Sequence, residues 1–585
     1  MTRFAFAAAL VFAAGTGVAS AQSPHQRLAR LADESYSRYL DLFPQEETLA
    51  IGAGPRMDRL EEHVSTGHEA RQREYYERVM KAAAAIPARE LDETDRVTRR
   101  LLEERSRWAL ERLAYPLEEH KMLIPFDGGL AADLVQLMTR QPFRDEPDLR
   151  AWMRRLERYP RLLAAARARL EAGIEHGVTT PRILVERSLE QWARIAPGEA
   201  RASTLWAPAQ RYDAALAGEY EKLLDEKVLP AMREFVRFVR EDYLPKARTT
   251  DGIAALPRGE RIYRMLVRQQ TTTDLAPQAI HEMGLAEVRR IQLQVLLAAG
   301  KIGYKGELRD LRTWLRTDPA NFPFRTPDEV LEYLRGIHAR ILPELPHLFH
   351  KLPRIPLEIR LTDPALAASA VAQWLPPSTD GTRPGIFSMP VVDAREISIV
   401  SLASLLAHEG MPGHHLQGAL ARELPLPVFR RGLRINAYNE GWALYAESLG
   451  HEIGLYDKTV PLLGRYLDEL YRAARLVADT GLHAKGWSRD RAIEYMMEEG
   501  GLGERTATNE VLRYMAWPAQ ALGYKVGEIT IRDLRSAAER RLGDRFDLRD
   551  FHQRVLDQGQ VPLDLLRERV EAWIAARERA ARTRQ

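Results

Sequence analysis

From residue 25 to about residue 246 the apolar positions of this chain recur every three or four residues, the period of one face of an α-helix. The stretches 69–84, 96–113 and 159–173 show it most clearly, and Pro44, Pro55, Pro116, Asp127-Gly128-Gly129 and Pro181 punctuate the pattern. Leu285, Val288, Ile291, Gln292 and Val295 mark one face of a further helix. The pattern changes between Pro356 and Pro390. Residues 357–361 alternate as a strand does, and 370–374 and 384–389 read as short extended pieces between turn residues. Helical spacing resumes near Ser398 and runs to about Arg577, with Thr530-Ile531-Arg532-Asp533 reading as a capped helix start. No repeat of solenoid length interrupts this order. The expectation is a mainly α, large, two-lobed helical unit with one small β-sheet.

The N-terminus changes the picture by giving an address. Arg3 precedes the apolar run 4–14, and Ala19-Ser20-Ala21 is a small-residue cleavage site. Residues 1–21 therefore read as a signal peptide, leaving 22–585 as a single two-lobed domain, periplasmic or secreted. The apolar run is too short to span a bilayer, so no stable membrane anchor is expected after cleavage. The absence of cysteine excludes disulfides, thiol catalysis, Cys-ligated zinc and lipidation on an N-terminal cysteine. With 85 basic and 82 acidic residues interleaved along the chain, no electrostatic case for nucleic acid exists.

The candidate chemistry lies in His408-Glu409-Gly410-Met411-Pro412-Gly413-His414-His415, directly after the apolar run Ile399, Val400, Leu402, Leu405, Leu406, where Ser398 or Ser401 is placed to cap a helix. In H-E-x-x-H two histidines four apart share one helix face and bind zinc, with the glutamate beside them as general base. Here Pro412 occupies the place of the second histidine. On a regular helix His414 would lie about 600° round from His408, and His415 would return to the same face roughly 10.5 Å further on. Two imidazoles on one zinc require both nitrogens about 2.0–2.1 Å from it. Pro412-Gly413, read as a two-residue bulge, returns His414 to the i+4 place; His415 remains the alternative. Glu440, in Asn439-Glu440-Gly441-Trp442-Ala443-Leu444-Tyr445-Ala446-Glu447, is the expected third ligand, because an acid among apolar neighbours needs a partner or a metal. Glu447, on the same face, is either a support for a ligand histidine or a solvated charge. Glu409 is the expected general base. His483, Tyr514 and Tyr524 are candidate oxyanion donors, although a lone Tyr or His of this kind is more often a satisfied core residue.

At these residues the chain resembles a bacterial family catalogued as domain of unknown function 885, which carries an H-E-x-x-P-G-H-H-x-Q signature matched by His408 through Gln417. The likeness extends to Thr271-Thr272-Thr273-Asp274-Leu275 with His281, Gly284 and Glu287, to Asp380 through Gly385, to Glu440 through Tyr445, to Asp479 through His483 and to Arg513 through Gly527. The resemblance implies a zincin-like helical fold related to the gluzincin peptidases, with His, His and Glu as ligands. Some helical gluzincins read H-E-F-G-H, and Gly413 before His414 favours that residue as the ligand. One departure is Ala519, where the family usually has glycine in P-G-Q-A.

Together these readings imply zinc-dependent hydrolysis of peptide bonds in oligopeptides. The alternatives are a metal-dependent hydrolase of another amide or ester, and a non-catalytic helical binding protein.

Overall fold

A computed structural model describes residues 22–367, 370–378 and 383–582. The segment read as a signal peptide and Asp380-Gly381-Thr382 lie outside them. The chain is mainly helical, as the periodicity predicts. The helices used below are α1 (Pro24–Leu42), α2 (Thr66–Ala84), α3 (Glu93–Arg112), α4 (Gly259–Thr271) and α5 (Pro277–Gly300). After the sheet come α6 (Leu402–Glu409), α7 (His414–Glu423), α8 (Asn436–Ser448), α9 (Thr459–Ala484), α10 (Glu504–Ala516) and α11 (Leu522–Leu542). Val288, Ile291 and Val295 are buried on α5, the face the spacing marks.

Thr530 does not start a helix. It sits within α11, where its hydroxyl donates to the Val526 carbonyl one turn back. A capping signature gives only local permission, and here the four-residue row of buried positions Leu522, Val526, Leu534, Ala538 and Leu542 carries the helix through it.

Three strands form the sheet: β1 (Leu357–Leu361), β2 (Gln373–Leu375) and β3 (Gly385–Met389), in the order β1-β3-β2. β1 runs parallel to β3 and β2 antiparallel to it, with Trp374 opposite Phe387. Alternation along β3 buries Gly385, Phe387 and Met389 towards the helices. β2 is an edge strand beside α6 and α7.

The buried apolar side chains fall into two cores. One lies between Leu60 and Ala247, around Trp152, Trp192 and Phe235. The larger gathers α1, α3, α4, α5 and everything from the sheet to the C-terminal helix. The indole of Trp517 in the larger unit donates to the Asp127 carbonyl in the smaller at 3.0 Å. Within the larger unit α8 crosses α11 where Gly441 meets Gly527. A Cβ on Gly441 would lie 2.4 Å from the Gly527 Cα, so the two helices touch backbone to backbone.

Candidate metal centre

α6 ends at Glu409 and α7 begins at His414. The interruption is a four-residue turn, Gly410 to Gly413, rather than a two-residue bulge in one continuous helix. Met411-Pro412 is cis. The His415 amide bonds to the Gly410 carbonyl at 3.0 Å, and the Trp442 indole donates to the Pro412 carbonyl at 3.0 Å, pinning the turn from α8. Gly413 is required by space, since a Cβ there would stand 2.0 Å from the His408 carbonyl oxygen.

This turn swings His414 back to His408, with ring centres 4.8 Å apart. From α8, the buried Glu440 places Oε2 3.4 Å from His414 Nε2 and 3.7 Å from His408 Nε2. Ligands about 2.0–2.1 Å from a tetrahedral ion are separated by roughly 3.3–3.4 Å. The two spacings to Glu440 fall at or just beyond that tetrahedral edge, and two imidazole nitrogens with one carboxylate are a donor set suited to zinc. The Glu409 carboxylate lies within 4.8 Å of both imidazole groups.

Glu447, for which the sequence leaves two readings open, accepts from His408 Nδ1 at 2.8 Å. That bond fixes the tautomer and turns Nε2 towards Glu440. Electrostatics at the cluster call for a positive charge. Burial lowers the His408 pKa, but Glu440 and Glu447 outweigh it and raise it to about 9. Burial would raise Glu440, yet His414 and His408 hold it well below the usual carboxylate range.

His415 is occupied elsewhere. Its Nε2 donates to the Ile355 carbonyl at 3.0 Å and its Nδ1 accepts the Trp374 indole N–H at 3.4 Å. Buried between these partners, its pKa is pushed down to about 4. It anchors the sheet to α7, and His414 is the histidine that faces His408.

Glu409 is partly exposed, and its Oε2 accepts the backbone N–H of Trp374 at 2.7 Å. That bond presents the carboxylate beside the edge of β2. Residue type alone does not mark Trp374 for chemistry. It also stacks over His414 at 6.1 Å, and the Arg422 guanidinium lies 5.9 Å from its ring centre. The one sequence signal for it is its place in an extended stretch just before the motif.

Of the three candidate oxyanion donors the structure brings one to the centre. The Tyr524 ring, partly exposed, stacks parallel to His408 at 6.4 Å, and its hydroxyl receives an N–H from Arg513 at 3.4 Å. His483 is a core residue. Its Nδ1 accepts from the Ile253 amide and its Nε2 donates to the Tyr514 carbonyl, both at 3.0 Å. Burial lowers its pKa to about 3, so it stays neutral with no donor to spare. The Tyr514 hydroxyl is likewise committed, donating to Glu510 at 2.9 Å. Both expectations are corrected on this ground.

Other blocks of the resemblance are structural. His281 bonds Thr480 and Glu287 joins a buried ion network. Ala519 lies at φ +70°, in the left-handed region, with its amide on the Asp479 carboxylate.

Two solved structures resemble this one over nearly their whole length. A protein from Colwellia psychrerythraea, described as a "putative lipoprotein", matches with TM-score 0.88 and 28% identity, covering 95% of this chain and 100% of its own. A second from Shewanella oneidensis, described in the same way and as of unknown function, matches with TM-score 0.73 and 19% identity over 94% and 99% of the two chains. The second likeness concerns the fold alone. Among curated proteins there is no match. The profile of the bacterial proteins of unknown function DUF885 matches residues 46–570, and the chain belongs to that family.

Proposed function

We propose that this protein is a zinc-dependent peptidase of oligopeptides. The reading is carried by one observation: His408, His414 and Glu440 converge at tetrahedral-edge spacings while Glu409 stands beside them, partly open to solvent. His408 and His414 would hold the ion through Nε2 and Glu440 through Oε2. When bound, zinc supplies Lewis acidity at the scissile carbonyl.

Glu409 accepts a proton from the attacking water and delivers it to the leaving amine. Tyr524 is the side chain placed to donate to the developing oxyanion. The edge of β2 offers an extended backbone to pair with the substrate as an added strand. A cleaved amide other than a peptide would need the same machinery at the carbonyl; an edge strand next to the base favours a peptide.

Export to the periplasm accompanies this reading. Among the described residues no helix is long and apolar enough to cross a membrane. The two solved relatives are each described as a "putative lipoprotein", and the sequence of this chain contains no cysteine.

The test is Glu409→Gln, with zinc content and turnover of a peptide library measured on one preparation. Zinc should remain near one per chain while hydrolysis falls ~10²–10⁴-fold. Full zinc with turnover within about twofold of the parent sinks the mechanism.

A further inference from the structure

A cavity of about 310 Å³ opens between α1, α2, α3 and α4 and the segment that leads into α8. That is the lower end of the range for small-molecule pockets, enough for a residue or two rather than a long peptide. Its walls are aromatic: Tyr36 and Tyr39 from α1, Tyr76 from α2, Trp108 from α3, and Phe429. A charge sits among them. The Arg105 guanidinium lies 5.9 Å from the Tyr39 ring centre and 5.8 Å from that of Phe429. Among the described residues it has no hydrogen bond or ion pair. The acid that senses it is Glu46, whose carboxyl burial holds up. Arg112 also lines the cavity, but its Nε is tied to Gln269 at 2.8 Å. Arg434 is exposed at the rim.

The cavity and the metal centre share α8. Asn436, which lines it, is the first residue of that helix, and Glu440 follows one turn later on the same face, about 6 Å along the axis. A polar strip runs alongside. Asn436 donates to the Gln520 carbonyl at 2.7 Å, Gln520 accepts from Arg513, and Arg513 donates to Tyr524, the ring stacked on His408.

We propose that this chamber is a substrate subsite that recognises a carboxylate carried beside an aromatic or large apolar group. Aromatic walls take the apolar part by burial and ring contact. A guanidinium held over rings with no hydrogen bond or ion pair gains most from a planar anion, which it can bind with two parallel hydrogen bonds. Either a free peptide C-terminus or an acidic side chain supplies that carboxylate. The chamber's role as a subsite rests on the peptidase reading; its choice of carboxylate over amide does not.

The experiment is calorimetric binding to zinc-loaded full-length protein with three probes. N-acetyl-phenylalanine carries a terminal carboxylate, N-acetyl-phenylalaninamide carries none, and N-acetyl-aspartyl-phenylalaninamide carries one on a side chain. At least one acid should bind about tenfold or more tighter than the neutral amide, and which one does so names the source. Arg105→Leu should erase that preference, Arg105→Lys should restore part of it, and Arg434→Leu, at the exposed rim, should reduce it if Arg105→Leu fails to fold. Equal binding of acids and amide, or an acid preference that survives every substitution, overturns the proposal. Discriminating binding by a protein that cleaves no peptide would leave the chamber standing and remove the peptidase reading alone.

Discussion

Around Lys525 and around Glu440 the larger unit gathers two sets of three glutamates, and it pairs them in different ways. Glu287, Glu469 and Glu528 surround the Lys525 ammonium at 3.0, 2.6 and 2.8 Å. Arg290, Arg465 and Arg532 close the set from outside. Glu409, Glu440 and Glu447 have no such escort. Among the described residues Glu440 forms ion pairs only with His408 and His414, its Oε1 accepting from the Asn439 side-chain amide at 3.2 Å, and the nearest arginine to Glu447 is Arg472 at 3.8 Å. Each region holds a group of side chains close enough to share a cation, His408, Glu409 and His414 in one and Glu287, Glu469 and Glu528 in the other. The second set of glutamates is balanced by two imidazoles and one more distant arginine rather than by a lysine ringed with arginines, and this separates a prospective metal site from a structural ion network.

The largest contrast is in metal content. Glu440→Gln and His408→Ala should each lower zinc from about one per chain to near none by elemental analysis, as a three-ligand site that loses a ligand does. Lys525→Met should leave zinc in place and instead lower unfolding stability by ~3–5 kcal/mol, the cost of uncompensated buried acids. Zinc lost from Lys525→Met protein of normal stability would erase the distinction.

The histidines extend the same contrast to acid. His483 and His552, bonded to neutral groups, are held by burial at about 3. Since the unfolded chain takes up these protons near pH 6.5 and the folded chain does not, their stabilising contribution is complete above that value. It is lost progressively as pH falls towards 3. Urea midpoints of metal-free His408→Ala protein should therefore fall from pH 7 to 5; a flat profile would contradict the assignment.

A smaller effect is expected at Glu447. Glu447→Gln keeps the shape but weakens the bond that orients His408, and zinc affinity in a chelator competition should drop about 10–100-fold. An unchanged affinity would make Glu447 a bystander. The smallest effect concerns Ala519, outside both clusters. Relieving its left-handed backbone with Ala519→Gly should raise stability by about 1 kcal/mol, with zinc content unchanged.

How far the sequence reveals this site follows from chain distance. His408, Glu409 and His414 are close in sequence and one turn sets where they stand, so their spacing carries the information. Glu440 is legible because an acid in an apolar helical stretch has to be paired or bound to a metal once it is buried. Trp374 acts through its backbone N–H and depends on how β2 pairs with β3, and residue type does not encode that. His483 and Tyr514 mislead as well. The partner of His483, Ile253, comes from a remote 3-10 turn that only packing brings near, whereas that of Tyr514, Glu510, lies one turn back on α10. The helices and the short sheet follow their periodicity, whereas the Thr530 cap signal yields to the longer period around it.

The contact between Gly441 and Gly527 has a mechanical consequence. Helices that meet at backbone atoms cannot slide or roll past one another without collision, so α8 and α11 behave as one stiff lever. Glu440 rides on one arm and Tyr524 on the other. Breathing that admits or releases a substrate must then carry the proposed third ligand and the proposed oxyanion donor together, and the flexing has to be taken up elsewhere in the chain. A side chain forced between the arms, as in Gly441→Val, would pry them apart and misalign both groups at once, with every catalytic atom still present.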